Sequence, residues 1–529
     1  MNRFKQFGVM VDCSRNAVPK VEQLKTFIDM ISHFGYNQLM LYTEDVYEID
    51  GEPLFGYMRG RYTQDELKTI DTYAFEKGVE LVPCIQTLAH LTNIFRHAPY
   101  AELLDIDDCL LVEEEKTYAL IEKMIATCAK CFKSKKIHLG MDESMRLGFG
   151  RYYLKHGYKT KAELLLGHAK KVYEIAKKHG FEELKVWYDQ FAWSTFGDDF
   201  YLKPRERNDE FADQLPKDLK IVYWDYGEWK FPEETYNYHI QKYREMNGNL
   251  SFAGYAYKWS GILPDNTKSI EQARISIDAC IKNGIDDYLV TSWGDAGSEA
   301  SLFVILPALY SIAKIARGEE IDENEFERIV GVKYEDFLLL DKVNNPGNSE
   351  HALRQITTML LYNDVFQNVA DGLVYDGLNQ FYRECAEELA AVQGGEFQYI
   401  FDSVRALCEV LSVKSELGKK LRQSYSVNNK DELSKIVQDI QSVIDKIGIY
   451  EKVYRKQWYR DNKSFGYHYV SLKIGAVKER LQYCAECVQD YLANELCCIE
   501  ELEETVIYAY NDINHDAVGF FRLLGHGYN

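Results

Sequence analysis

A chain of 529 residues is too long for one small core, and its 46% hydrophobic and 27% charged residues are those of an ordinary globular protein with two or three domains. The net charge of −21, from 83 acids against 62 bases, excludes the broad basic surfaces that nucleic acids and anionic membranes require, so an uncharged ligand is expected. No apolar run reaches membrane-spanning length and the opening M-N-R-F-K-Q-F-G-V-M-V-D has no apolar h-region, which makes cytoplasmic the expected location.

From the start to about residue 318 one rhythm repeats: a short β-rich run, a polar loop, an amphipathic helix. The runs are Phe7 to Val11, Gln38 to Tyr42, Val79 to Ile85, Ile137 to Met141, Leu184 to Tyr188, Lys220 to Trp224, Phe252 to Tyr257 and Asp287 to Thr291. Helical patterns between them include Val21 to Phe34, Gln64 to Lys77, Glu114 to Phe132, Lys161 to His179, Pro232 to Asn247, Ser269 to Asn283 and Leu302 to Ala316. Alternating strand and helix implies parallel strands joined by crossovers, and eight units predict a closed (β/α)8 TIM barrel over 1–318. An open doubly wound sheet is the competitor, disfavoured because V-D-C-S-R follows the first strand where a Gly-rich dinucleotide turn would stand. Beyond Gly318 the pattern turns helical through Ala352 to Val369, Gly377 to Val392, Tyr399 to Ser424, Lys430 to Trp458 and Leu472 to Asn511, which predicts an all-α C-terminal domain over 319–529. Three roles fit it: buttressing the barrel, completing the site through the polar loop Trp458 to Tyr467, or self-association as a homodimer.

Twelve cysteines without an export signal are read as free thiols. C-A-K-C (Cys128, Cys131) and C-A-E-C (Cys484, Cys487) sit in helical patterns without turn chemistry, so core packing is favoured over a zinc site, and no metal or cofactor is expected. The 39 tyrosines suit a sugar ligand, whose C–H faces stack on aromatic rings, although core packing accounts for them equally well.

In a parallel barrel the reactive groups stand at the carboxyl ends of the strands. Asp12 and Arg15 follow the first strand here, Glu44 and Asp45 the second, and His90 the third. The fourth ends K-I-H-L-G-M-D-E-S, placing Asp142 and Glu143 at the mouth. Trp187 and Asp189, then Tyr223, Trp224 and Asp225, then Tyr257 and Trp259, then Trp293 and Asp295 follow the remaining four. Each has a plain structural reading, but one arginine, several acids and an aromatic cage at one rim are best explained by a hydroxyl-rich ligand. Sugar cleavage needs an acid for the leaving oxygen and a stabiliser on the other face. Adjacent residues do not supply a facing pair, so the nucleophile comes from another strand or from the substrate itself.

H-L-G-M-D-E resembles the H-x-G-x-D-E signature of the family 20 glycoside hydrolases, the β-N-acetylhexosaminidases, and G-V-M-V-D-C-S-R resembles that family's opening strand. L-Y-T-E-D, P-C-I-Q-T-L-A-H, Y-W-D and S-W-G-D follow in the expected order. The resemblance implies an exo-acting, retaining enzyme that removes terminal β-linked GlcNAc or GalNAc by substrate-assisted catalysis through an oxazolinium intermediate. By it, Glu143 is the general acid and base, and Asp142 orients the 2-acetamido group. His90, linked to Glu44 or Asp45, tunes Glu143. Tyr223 bonds the acetamido oxygen, Arg15 and Asp225 bind hydroxyls, and Trp187, Trp224 and Trp293 wall the pocket together with Trp259. S-W-G-D stands where the family has W-x-E, which leaves Asp295 or Glu299 for the remaining hydroxyls. The chain resembles a short subgroup without the α/β domain that many members carry before the barrel. The competing readings are a non-catalytic amino-sugar-binding barrel and an O-GlcNAc-hydrolase-like enzyme, which would carry adjacent aspartates instead.

Overall fold

The computed structural model describes residues 3–197, 206–227, 231–259, 261–346, 356–367 and 370–505. The parts of the expected helical patterns at 352–355, 368–369 and 506–511 lie outside the described residues.

Eight parallel strands close into a barrel: β1 (Gln6–Asp12), β2 (Gln38–Thr43), β3 (Glu80–Ile85), β4 (Lys136–His138), β5 (Glu183–Trp187), β6 (Leu219–Trp224), β7 (Leu250–Tyr255) and β8 (Asp287–Ser292). Neighbours in sequence pair throughout, and the ring closes where β1 pairs β8 from Gln6 with Asp287 to Val11 with Ser292. Barrel helices follow the strands: α1 (Val21–Phe34), α2 (Gln64–Glu76), α3 (Glu115–Cys131), α4 (Lys161–Lys178), α5 (Asp189–Phe196), α6 (Pro232–Arg244), α7 (Asn266–Lys282) and α8 (Leu306–Arg317). Two begin with reciprocal capping boxes, Thr63 with Glu66 and Thr160 with Glu163, each satisfying two otherwise unpaired backbone donors.

Side chains alternate along each strand, so every second one enters the barrel. At its amino end the barrel is plugged by polar groups: Lys185 and Lys220 lie 2.7 and 2.9 Å from Asp287 Oδ2, and Gln6 donates to Glu183. Above them Met10, Met40, Val82, Val222, Ala253 and Leu289 form an apolar layer. β4 is shorter than expected, ending at His138, because Gly140 and Met141 have φ of 74° and 73°, outside the extended region.

The helical region contains α9 (Glu323–Val330), α10 (Tyr334–Asn344), α11 (Ile356–Tyr362), α12 (Leu378–Ala390), α13 (Gln398–Lys414), α14 (Leu417–Ser426), α15 (Lys430–Asp461) and α16 (Tyr467–Leu492). The pattern expected from Tyr399 to Ser424 divides between α13 and α14, where the Glu416 carboxylate accepts the backbone N–H of Gly377 and Asn379. α13 packs between α12 and α15, and α15 lies along α16. The turn joining α15 to α16 returns to the barrel mouth, where Lys463 N–H donates to Val18 and Lys463 Nζ to Arg61 O and Glu66. Cys128 and Cys131 are buried on the barrel helix α3, and on α16 Cys484 is buried and Cys487 half-buried; among the described residues no group of three metal-ligating side chains gathers, and no helix is long and apolar enough to cross a membrane.

Candidate active site

The segment after β4 is bent by its neighbours. A Cβ on Gly140 would lie 2.1 Å from Gln86 Oε1, so only glycine fits where Gln86 crosses the turn. Gln86 Oε1 accepts Met141 N–H at 3.2 Å, while its Nε2 donates to Asp142 Oδ1 at 2.6 Å and Tyr42 OH at 2.9 Å. One amide thus fixes both the turn and the carboxylate it presents. Glu143 has φ of 48°, and its N–H donates to Asp189 Oδ2 at 2.8 Å. His90, with φ of 59°, is held by its own N–H to Asp108 Oδ2 at 2.9 Å. Left-handed backbone at non-glycine residues costs about 1–3 kcal/mol each and persists where surrounding contacts over-determine it, as at His90, Met141 and Glu143.

His90 Nε2 stands 3.3 Å from Asp142 Oδ2 and 3.6 Å from Glu143 Oε2, and its Nδ1 faces Asp108 at 3.8 Å. Burial penalises the charged imidazolium, but Asp142, Glu44 and Glu143 outweigh it and push His90 up to about 10. Burial likewise opposes charge on Asp142, yet His90 and the hydrogen bonds from His90 and Gln86 hold that carboxyl below its ordinary value. Glu143 moves the other way: desolvation raises it, with Asp142 and Asp295 adding to the rise against the pull of His90. Its side chain is 51% exposed, open to the mouth, whereas that of Asp142 is 9% exposed.

The opposite wall is built on β1, β2 and β8. Arg15 lies 3.4 Å from Glu44 and 3.5 Å from Asp295. Asp12 accepts N–H groups from Ser14 and Gly294 and so ties the two loops together. Burial raises Glu44 to about 7 despite Arg15. Arg15, Tyr42, His90, Asp142, Glu143, Trp224, Tyr226, Trp259, Trp293 and Asp295 enclose a cavity of about 160 Å³. Trp293 donates its Nε1 proton to Tyr226 OH at 2.8 Å, and Trp224 stacks on Tyr226 with centroids 5.4 Å apart.

Arg15, His90, Asp142, Glu143, Trp224, Trp259, Trp293 and Asp295 therefore meet as the sequence suggests, with Glu44 behind Arg15. Several expected placements differ. Tyr223 is buried outside the barrel wall, bonded to Asp225 and His239, and Asp225 caps Gly227 N–H, so neither lines the cavity. The cause is strand parity: Val222 and Trp224 point inward on β6, so Tyr223 and Asp225 point outward and the next inward tyrosine is Tyr226. Asp45 likewise faces out and pairs with Arg59; His90 contacts Asp108, Asp142 and Glu143 directly and is linked to Glu44 through charge rather than by contact. Trp187 is fully buried below the cavity, 4.2 Å from the His138 ring and 5.7 Å from Trp293. Glu299 is turned into the helical region, leaving Asp295 at the mouth. Sequence reasoning missed Tyr42, Gln86, Asp108 and Tyr226; alternation from Met40 and Trp224 would have found the two tyrosines.

Residues 4–241 match the model for the glycosyl hydrolase family 20 catalytic domain, and residues 335–519 match that for the Glycoside Hydrolase 20C C-terminal domain. The chain is 22% identical to Hexosaminidase D of Bos taurus over 281 residues, which span 51% of this chain and 75% of that protein. It is 25% identical to Hexosaminidase D of Homo sapiens over 219 residues, 40% of this chain and 43% of that one. A solved GH20 exo beta-N-acetylglucosaminidase from Vibrio harveyi, in complex with N-acetylglucosamine, superposes with a TM-score of 0.47 at 16% identity, over 64% of this chain and 59% of that one. The match thus spans less than two thirds of the human relative and of the Vibrio chain.

Proposed function

The chain belongs to glycoside hydrolase family 20, and from that membership and the shape of its pocket we propose that it is an exo-acting, retaining β-N-acetylhexosaminidase that removes terminal β-linked GlcNAc or GalNAc. The observation that carries this reading is the divergence of two adjacent carboxyls, Asp142 held ionised and Glu143 held towards its protonated form. Glu143, open to the mouth, donates its proton to the leaving glycosidic oxygen. Asp142 accepts the 2-acetamido N–H and draws the acetamido carbonyl oxygen onto the anomeric carbon, forming an oxazolinium ion as the glycosidic bond breaks. Glu143, now a base, takes a proton from water that opens the ring from the same face as the departed group, so configuration is retained. In this reading Tyr226, rather than Tyr223, bonds the acetamido oxygen, turning its proton away from Thr291 Oγ1, 3.0 Å from its OH; Arg15 and Asp295 take ring hydroxyls, and Trp224, Trp259 and Trp293 stack on the sugar.

Release of 4-nitrophenol from its β-N-acetylglucosaminide and its β-glucoside tests this. Hydrolysis is expected only of the acetamido sugar, with Glu143→Gln and Asp142→Asn each lowering kcat at least ~100-fold, the scale set by losing a general acid or an aligned nucleophile. Equal rates on the glucoside, which has no internal nucleophile, would overturn the mechanism. Binding of N-acetylglucosamine without turnover would leave a sugar-binding barrel.

A further inference from the structure

The mouth has two halves of different construction. Asp142, Glu143 and His90 hang on the loops after β3 and β4, braced by Gln86, Asp108 and Asp189, all barrel residues. Arg15 and Asp295 sit on the loops after β1 and β8, and these loops are gripped from outside the barrel. Four residues beyond Asp295, Glu299 is buried among three helices of the helical region: Lys473 on α16 ion-pairs with Glu299 Oε1, Tyr362 on α11 donates to Oε2 at 3.0 Å, and Tyr454 on α15 donates to the Glu299 carbonyl at 2.7 Å. Both side chains of the ion pair are 2% exposed. Between Asp295 and Glu299 the chain is a tight turn, with Gly297 and Ser298 N–H both donating to Gly294 O at 2.8 Å, so a shift of Glu299 carries Asp295 with it. The β1 loop is gripped as well: a Cβ on Gly466 would lie 1.9 Å from Asn16 O, next to Arg15.

We propose that the helical region holds the hydroxyl-recognising half of the pocket in register through this buried clamp, making Glu299, Lys473 and Tyr454 positioning residues for Asp295 and, through their ion pair, Arg15. None of the three lines the cavity; they act on sugar binding through the turn. The half that carries the bond-breaking chemistry has its own backbone supports, Gln86, Asp108 and Asp189, none of which touches the clamp. The kinetic part of this rests on the hexosaminidase reading, whereas the mechanical part does not.

Removing one member of a buried ion pair leaves an uncompensated charge, so the variants are Tyr454→Phe, which deletes one hydrogen bond, and the double change Glu299→Gln with Lys473→Met, which deletes both charges. Hydrogen–deuterium exchange on the full chain is expected to speed up in peptides covering 294–301 while peptides covering 138–145 keep their protection. With 4-nitrophenyl N-acetyl-β-glucosaminide, KM should rise about five- to fifty-fold with kcat within about twofold, the pattern of lost uniform binding. In an Asp295→Asn background the same changes should add little, because the clamp acts through Asp295. Unchanged exchange at 294–301 in both variants would overturn the proposal. So would a loss confined to kcat, or a KM effect undiminished by Asp295→Asn. A wild-type chain without hydrolase activity would instead refute the hexosaminidase reading, and the exchange data would still decide the clamp; if the double variant fails to fold, Tyr454→Phe decides alone.

Discussion

Asp142 and Glu143 are neighbours in sequence whose carboxyls are shifted in opposite directions, and the difference lies in what each touches. Asp142 is buried against His90 and Gln86, while Glu143 extends into the mouth and keeps its backbone N–H on Asp189. Asp189, itself raised to about 7 chiefly by burial and then by Asp142, carries negative charge beside Glu143 only on the alkaline side of that value. Asp189→Asn keeps a carbonyl acceptor for that N–H and removes the charge. Since an adjacent anion disfavours ionisation of Glu143, its loss should lower the Glu143 pKa and move the alkaline limb of kcat/KM to lower pH, with the acid form of Glu143 lost sooner. A pH–rate profile of this variant checks it; an unmoved or raised limb contradicts the assignment. The acid pair was readable from sequence because strand and acids are contiguous. Its supports were legible only in part: Asp189 stood at the mouth by its place after the fifth strand, but Gln86 and Asp108 come from other loops, and only the closed barrel brings all three within hydrogen-bonding distance.

At the scale of the element, alternation along a strand decides which side chains reach the pocket. On β6 and the residues after it, Lys220, Val222, Trp224 and Tyr226 share the inner side, whereas Tyr223 joins Asp225 and His239 in the layer between barrel and helices. Tyr226→Phe should therefore lower kcat about tenfold, the scale of one net hydrogen bond, because its proton must first leave Thr291 Oγ1 to reach the acetamido oxygen. Tyr223→Phe should leave kcat and KM within about twofold and instead reduce stability by about 1–3 kcal/mol, because buried Asp225 and His239 each lose a hydrogen-bond partner. Paired kinetics and thermal unfolding of the two variants distinguish them, and the reverse pattern would place Tyr223 in the reaction. Motif order suggested Tyr223 because the Y-W-D string lies at the strand end. The parity that excludes it was present in the same string, since Trp224 can face the cavity only if both its neighbours do not. The eight strand–helix units were legible from hydrophobic periodicity for the same geometric reason, but the end of β4 was not, because its left-handed residues include Met141, which carries no such signal.

At the scale of the molecule, several buried groups bind protons more tightly in the fold than in the open chain. Glu44 and Asp189 are raised to about 7, in both cases chiefly by burial, and His90 is raised to about 10, burial being outweighed by its carboxylate neighbours. Between pH 6.5 and 8 His90 keeps nearly all of its proton and Glu44 and Asp189 keep part of theirs, protons that the unfolded chain has released or is releasing, so through these groups unfolding releases protons and rising pH favours it. His138 and His168, lowered by burial to about 3 and about 4, and Lys473 and Lys414, lowered by burial to about 7 and about 8, act in the opposite direction. Glu44→Gln isolates one contributor: between pH 6.5 and pH 8 its Tm should fall less, or rise more, than that of the parent chain, and an unchanged or steeper fall contradicts the buried-proton account. The polar plug beneath the apolar layer has a different consequence. It closes the lower end of the barrel, so the cavity is a blind well with one door. Whatever leaves from the outer side goes first, and the sugar seated behind it must depart by the way it entered before another can take its place. Emptying the well is then an obligatory step of every turnover, and it sets the ceiling on rate once bond cleavage is fast.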